Sequence, residues 1–147
     1  MRTLFAAALV TAGCSAPAPE PPRDTRDTPP MEISAYIAHP GAAPEVAAPS
    51  AARAGEPLTV QVTTYGNGCN TAGRDEVRTR GLEADVLPRD LDHSRELIDC
   101  PDLLRVFRHT ATVRFDQPGA ATVRVHGRRL PGGEPVVVTR SVTITAP

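Results

Sequence analysis

The side chains best suited to hold a metal or move a proton lie between residues 69 and 109. They are Cys69, His93, Cys100 and His109, with Asp90, Asp92, Glu96, Asp99 and Asp102 clustered around His93. Thiolate and neutral imidazole both suit zinc, so the first four have the chemistry of a Cys2His2 shell. Their spacings match no zinc-finger pattern, and a bond between the two cysteines would remove both thiolates. The acidic run offers oxygen ligands for calcium but lacks the Asp-x-Asp-x-Asp-Gly order of a dedicated loop. Arg89, Arg95 and Arg105 lie among or beside these carboxylates and can neutralise them by pairing. The expectation is a solvated acidic loop and no metal site.

Acid–base and nucleophilic chemistry find no better footing. The chain has no Gly-x-Ser-x-Gly elbow, no His-Glu-x-x-His pair, no phosphate-cradling glycine loop and no dinucleotide fingerprint. His109 falls on the apolar side of an alternating segment, where a histidine satisfied by a backbone carbonyl is expected. His126, beside Arg124, falls on the polar side and is expected in solvent. The chain therefore reads as a non-enzyme that requires no cofactor.

Charge and aromatic content narrow the partners. The 16 basic residues, all Arg, are balanced by 17 Asp and Glu, for a formal net charge of −1. Such a balance offers no broad attraction to phosphate backbones, so nucleic acid is not an expected partner. There is no Trp, and only 2 Tyr and 3 Phe, too few for a base-stacking platform. Arg108, Arg114, Arg124 and Arg128 sit on the polar sides of successive segments. If those segments belong to different sheets, the arginines are scattered rather than gathered into one anion-binding patch.

The beginning of the chain supplies an address. Arg2 is followed by an uncharged apolar run from Thr3 to Val10 and then by Thr11-Ala12-Gly13-Cys14. The run is far shorter than the ~20 residues a membrane-spanning helix needs, so it reads as a secretory signal. Small residues leading directly to a cysteine resemble the lipobox of bacterial lipoproteins, with Thr11 where that family usually has Leu or another aliphatic. The resemblance implies cleavage before Cys14, a diacylglycerol on its thiol, and a membrane as the first partner. By the same resemblance, Ser15 after the anchor implies sorting to the outer membrane, facing the periplasm or the cell surface. Cys69 and Cys100 then remain as one even pair in an oxidising compartment, which predicts a disulfide. Closing a loop of about 30 residues, it would stabilise the fold by roughly 3–4 kcal/mol in the chain-entropy view.

The elements that must position these residues are strands. Residues 14–30 hold six prolines and almost no aliphatic bulk, a composition that cannot bury a core and reads as a tether after the signal peptide 1–13. From Met31 the apolar period is two. Met31, Ile33, Ala35 and Ile37 form one row; Leu58, Val60 and Val62 form another; Val77 and Thr79, then Ala84 and Val86, flank Gly81. Further rows are Phe107 to Phe115, Ala121 to Val125, and Val136 to Ile144. Residues 40–57 read as an irregular connection with a short edge strand near Val46. Residues 88–102 read as a long excursion with one helical turn near 93–98. About seven strands with one apolar face each predict an all-β domain over 31–147, an antiparallel β-sandwich.

The stretch from Phe115 through Gln117-Pro118-Gly119 to Thr122-Val123-Arg124-Val125 resembles the late strand–turn–strand of immunoglobulin-like domains on bacterial surface proteins. Ala120 or Ala121 stands where such corners often carry tyrosine, and no Trp accompanies the cysteines. Cys69 follows the turn Tyr65-Gly66-Asn67-Gly68, so the bridge is expected to staple loops rather than sheets. The expected function is that of a lipid-anchored envelope protein with a non-catalytic binding or scaffolding domain, another envelope protein being the kind of partner. Its expected contact loops are 65–76 and 88–105, with Tyr65, Asn67, Asn70 and His93 as contact residues. The alternative is a periplasmic lipoprotein that takes up a metal ion through His93, the acidic loop and the cysteines.

Overall fold

The computed structural model describes residues 29–96 and 99–147, and the expected signal peptide, Cys14 and all but the end of the expected tether lie outside these residues. The described chain is all-β. Its ten strands are β1 Met31–Ser34, β2 Tyr36–Ala38, β3 Val46–Ala47, β4 Ala51–Arg53, β5 Pro57–Gly66, β6 Asn70–Arg80, β7 Glu83–Asp92, β8 Arg105–Arg114, β9 Gly119–Arg129 and β10 Pro135–Thr145.

β5 pairs with β8 over ten residues, from Pro57↔Arg114 to Gly66↔Arg105, and with the short β3 on its other side. The second group centres on β7, which carries β6 on one side and both β1 and β9 on the other. β9 continues into β10 and then β4. β2 joins the groups, since Tyr36 is a register partner of Tyr65 on β5 and of Arg128 on β9. The alternating rows meet in one core. Val60, Val62, Val113 and Phe115 from the first group pack with Val86, Val123, Val125, Val142 and Ile144 from the second.

Three expectations change here. The pairing is mixed rather than antiparallel, because β7–β9, β2–β9 and β4–β10 run parallel. Alternation reports which face of a strand is buried and carries no record of direction, so parallel partners distant in sequence leave no trace in it. There are also ten strands rather than about seven. The connection over 40–57 contributes β3 and β4, and the run from Met31 divides at Ala35. There the Ala35 N–H donates to Pro88 O on β7 while its carbonyl accepts from Arg128 N on β9, so the chain changes partner at that residue. Gly127 permits the crossing: a Cβ there would lie 2.6 Å from Ile37 Cγ2 and 2.9 Å from Ala35 O. The segment 88–92 is strand rather than loop.

Candidate functional site: a buried histidine between two carboxylates

At one edge of the core the apolar rows give way to charge. His109 on β8 takes the inward position beside Val62, its register partner, and is 3% exposed. Its Nδ1 lies 2.8 Å from Asp75 Oδ1 on β6 and its Nε2 lies 2.9 Å from Asp90 Oδ1 on β7. Thr64 on β5 adds a long hydroxyl contact, its Oγ1 donating to Asp90 Oδ1 at 3.5 Å. Four strands from both groups therefore converge on one imidazole. With a carboxylate at each nitrogen, both nitrogens act as donors and the ring is held as imidazolium. Burial pushes the imidazole pKa down, but the hydrogen bonds and charges of Asp75 and Asp90 more than reverse this and hold it at about 9.

A local irregularity of β6 makes the arrangement possible. Ala72 is opposite Asp90 while Asp75 is opposite Pro88, so Gly73 and Arg74 together occupy a single step. This is a β-bulge, which re-aims the side chains beyond it. Asn70 is buried before it, and Asp75 and Val77 are half-buried after it, so the inward position has passed from even to odd residues. Gly73 is required where the bulge presses on β7, because a Cβ would meet the Arg89 carbonyl oxygen at 2.5 Å.

The geometry closes this centre to acid–base or metal chemistry at the imidazole: neither nitrogen has a free lone pair to accept a proton or bind a cation. Asp90 Oδ2 is buried with no hydrogen-bond partner. That is a cost the cluster carries, since an unpaired buried acceptor loses its hydration. The chemistry the arrangement can perform is cohesion between the two strand groups, dependent on the charge of one histidine.

The other sequence-derived candidates lie at the Gly66 end of β5 and around the β7–β8 connection. Cys69 and Cys100 form the disulfide, with Cα atoms 5.1 Å apart. It ties the β5–β6 turn to the β7–β8 connection and so staples loops, as expected. The turn is closed by its own amides: Asn70 Oδ1 accepts from Asn67 N and Asn67 Oδ1 accepts from Cys69 N, both at 2.9 Å. Asn70 is thereby buried, and so is Tyr65, whose ring meets that of His39 edge-on with centroids 4.5 Å apart. Of the four expected contact residues, Asn67 is exposed and His93 half-buried, while Tyr65 and Asn70 serve the fold. His93 lies with Nε2 3.0 Å from Thr71 Oγ1 and Nδ1 3.3 Å from Glu96 Oε2.

The Cys2His2 candidates are thus dispersed. The thiolates are spent in a bond, His109 is enclosed by Asp75 and Asp90, and among the described residues no three His, Cys, Asp or Glu side chains are grouped to hold a metal. Asp90, expected in a solvated loop, is 1% exposed. His126 faces outward beside Arg124, and the two share Asp85, whose carboxyl they hold below its usual range, His126 by the stronger hydrogen bond. The arginines are scattered: Arg108 and Arg114 belong to β8, while Arg124 and Arg128 belong to β9 in the other group.

Sequence reasoning missed Asp75 and Asp90 as partners of His109. Two signals pointed to them: an imidazole on an apolar face needs partners of some kind, and an isolated Gly within a strand pattern marks a bulge. One further feature is a cleft of about 530 Å³ over β3, β5 and β8, lined by Glu45, Gln61, Thr63, Arg108 and Arg140.

No protein-family model, no curated protein and no solved structure matches the chain.

Proposed function

We propose that this protein is a lipid-anchored lipoprotein of the bacterial envelope, cleaved before Cys14 and acylated there. Its single domain, an immunoglobulin-like sandwich, binds or scaffolds rather than catalyses. The observation that carries the reading is the Cys69–Cys100 disulfide, because such bonds persist outside the reducing cytoplasm. It agrees with the lipobox-like Thr11-Ala12-Gly13-Cys14 and with the proline-rich tether that follows. The enclosure of His109 favours binding over catalysis, since the chain's most buried imidazole is committed to Asp75 and Asp90. The cleft over β3, β5 and β8 supplies a surface for an envelope partner: it has the size of an ordinary ligand pocket, and Arg108 and Arg140 line it.

Fractionation of a bacterial host expressing the full chain tests this reading. The wild type is expected in the detergent-extracted membrane fraction, and Cys14→Ala is expected to leave that fraction for the soluble periplasm or to accumulate uncleaved. A wild type that is soluble, or a Cys14→Ala variant processed and distributed like it, contradicts the anchor.

A further inference from the structure

Among the described residues five large apolar side chains are conspicuously exposed, and four of them are close in the fold. Leu103 is 65% exposed, Leu104 58%, Val106 57% and Met31 42%. Leu103 and Leu104 line a hollow of about 300 Å³ together with Ile33, Leu130 and Asp92, and Asp92 is the register partner of Met31. Leu104 immediately precedes β8, on which Val106 is the second residue. This shelf is held rigidly. Cys100 is fixed by the disulfide, Gly68 N donates to Pro101 O at 3.0 Å, and Leu103 N donates to the same carbonyl at 2.8 Å. A Cβ at Gly68 would strike the Pro101 ring at 2.6 Å, so turn and shelf are in close contact.

We infer that this shelf rests on a lipid surface, docking the domain against the membrane instead of leaving it at the full reach of its tether. The inference rests on the lipid anchor proposed above. The tether from Cys14 joins the domain at Met31, within the shelf, so the domain's point of attachment and its exposed apolar residues are on the same side. Four side chains fall far short of the ~1,200–2,000 Å² of a stable protein interface. They are sufficient to bias an already anchored domain toward the bilayer. Asp92 and Asp102 line the hollow, and Asp99 and Arg105 flank it along the chain, so its surroundings are not basic. Docking is therefore expected on zwitterionic lipid, with little gain from anionic lipid and little loss in salt.

The chain contains no Trp, so a single introduced indole reports on its own position. The acylated full chain carrying Leu104→Trp, reconstituted into phosphatidylcholine vesicles, is compared with the same chain carrying Gln117→Trp. Gln117 is exposed and lies beyond the far end of β8. Lipids brominated near the headgroup are expected to quench the Leu104→Trp reporter at least twofold and to leave the Gln117→Trp reporter unchanged. Adding Leu103→Asp to the Leu104→Trp chain is expected to abolish the quenching. Equal, weak quenching at both positions on a chain whose mass shows acylation overturns the docking inference and leaves the anchor intact. A chain whose mass shows an unmodified Cys14 overturns the anchor and the inference with it. A blue-shifted, concentration-dependent Leu104→Trp signal without lipid also overturns it, by assigning the shelf to a second copy.

Discussion

His109 decides more of this fold than any other titratable residue. Its imidazolium is buried between Asp75 and Asp90, and its pKa of about 9 lies above the 6.5 of an unstructured histidine. A raised folded-state pKa means the stabilisation is complete below pH 6.5 and is lost as pH rises through 9. A displacement of that size corresponds to about 3 kcal/mol, so the urea midpoint is expected to fall substantially between pH 6 and pH 9.5. His109→Gln is expected to flatten that dependence over the same interval. Removing the imidazole alone should also lower stability at neutral pH by about 3–5 kcal/mol, because buried Asp90 and half-buried Asp75 lose their counter-charge. Replacing all three groups together, as His109→Leu, Asp75→Leu and Asp90→Leu, should cost much less than that single change if the cluster acts as one unit. Denaturation of His109→Leu and the triple variant at pH 7 measures the difference; a triple variant no more stable than His109→Leu contradicts the coupling. The enclosed histidine was legible in the sequence as a core residue, since it fell in the apolar row from Phe107 to Phe115. Its partners were not, because carboxylates that come from strands 34 and 19 residues away share no local pattern with it.

At the scale of elements, the β6 bulge and the disulfide are the two devices that shape the functional end. Val77 and Thr79 were readable as strand, yet the bulge at Gly73 and Arg74 broke the parity that would have extended the reading back to Asn70. Gly73→Ala places a Cβ against the Arg89 carbonyl and is expected to cost about 1–3 kcal/mol, the range for steric overpacking. An unchanged melting temperature in that variant contradicts the tight approach of β6 to β7. Cys69→Ala with Cys100→Ala opens a loop of sequence separation 31 and is expected to lower stability by about 3–4 kcal/mol. It should also increase hydrogen exchange of the amides Gly68 and Leu103, which bond to Pro101 O next to Cys100. The pairing of Cys69 with Cys100 was legible because cysteine parity and compartment leave one pair. The closed Asn67–Asn70 turn was legible only as a turn: that its amides face each other depends on the backbone folding back, which composition does not record.

For the molecule as a whole, period-two alternation was enough to give the all-β class, since each row of Val, Ile and Leu became one inward face of the shared core. The parallel partners were hidden, because β4 meets β10 and β7 meets β9 only after the chain has closed around that core. The proposed address rests on a different kind of signal, an apolar run and a cysteine that processing enzymes would read, and folding does not bear on it. The disulfide, the buried charge cluster, the cleft and the apolar shelf are the features on which the proposed anchored binding module rests. Mass spectrometry of the intact full-length protein, extracted from membranes and compared before and after reduction, tests this account most directly. The account expects a chain of residues 14–147 carrying a diacylglycerol at Cys14 and gaining two hydrogens on reduction. A chain that retains residues 1–13, or one with a free Cys14 and reduced Cys69 and Cys100, would contradict it.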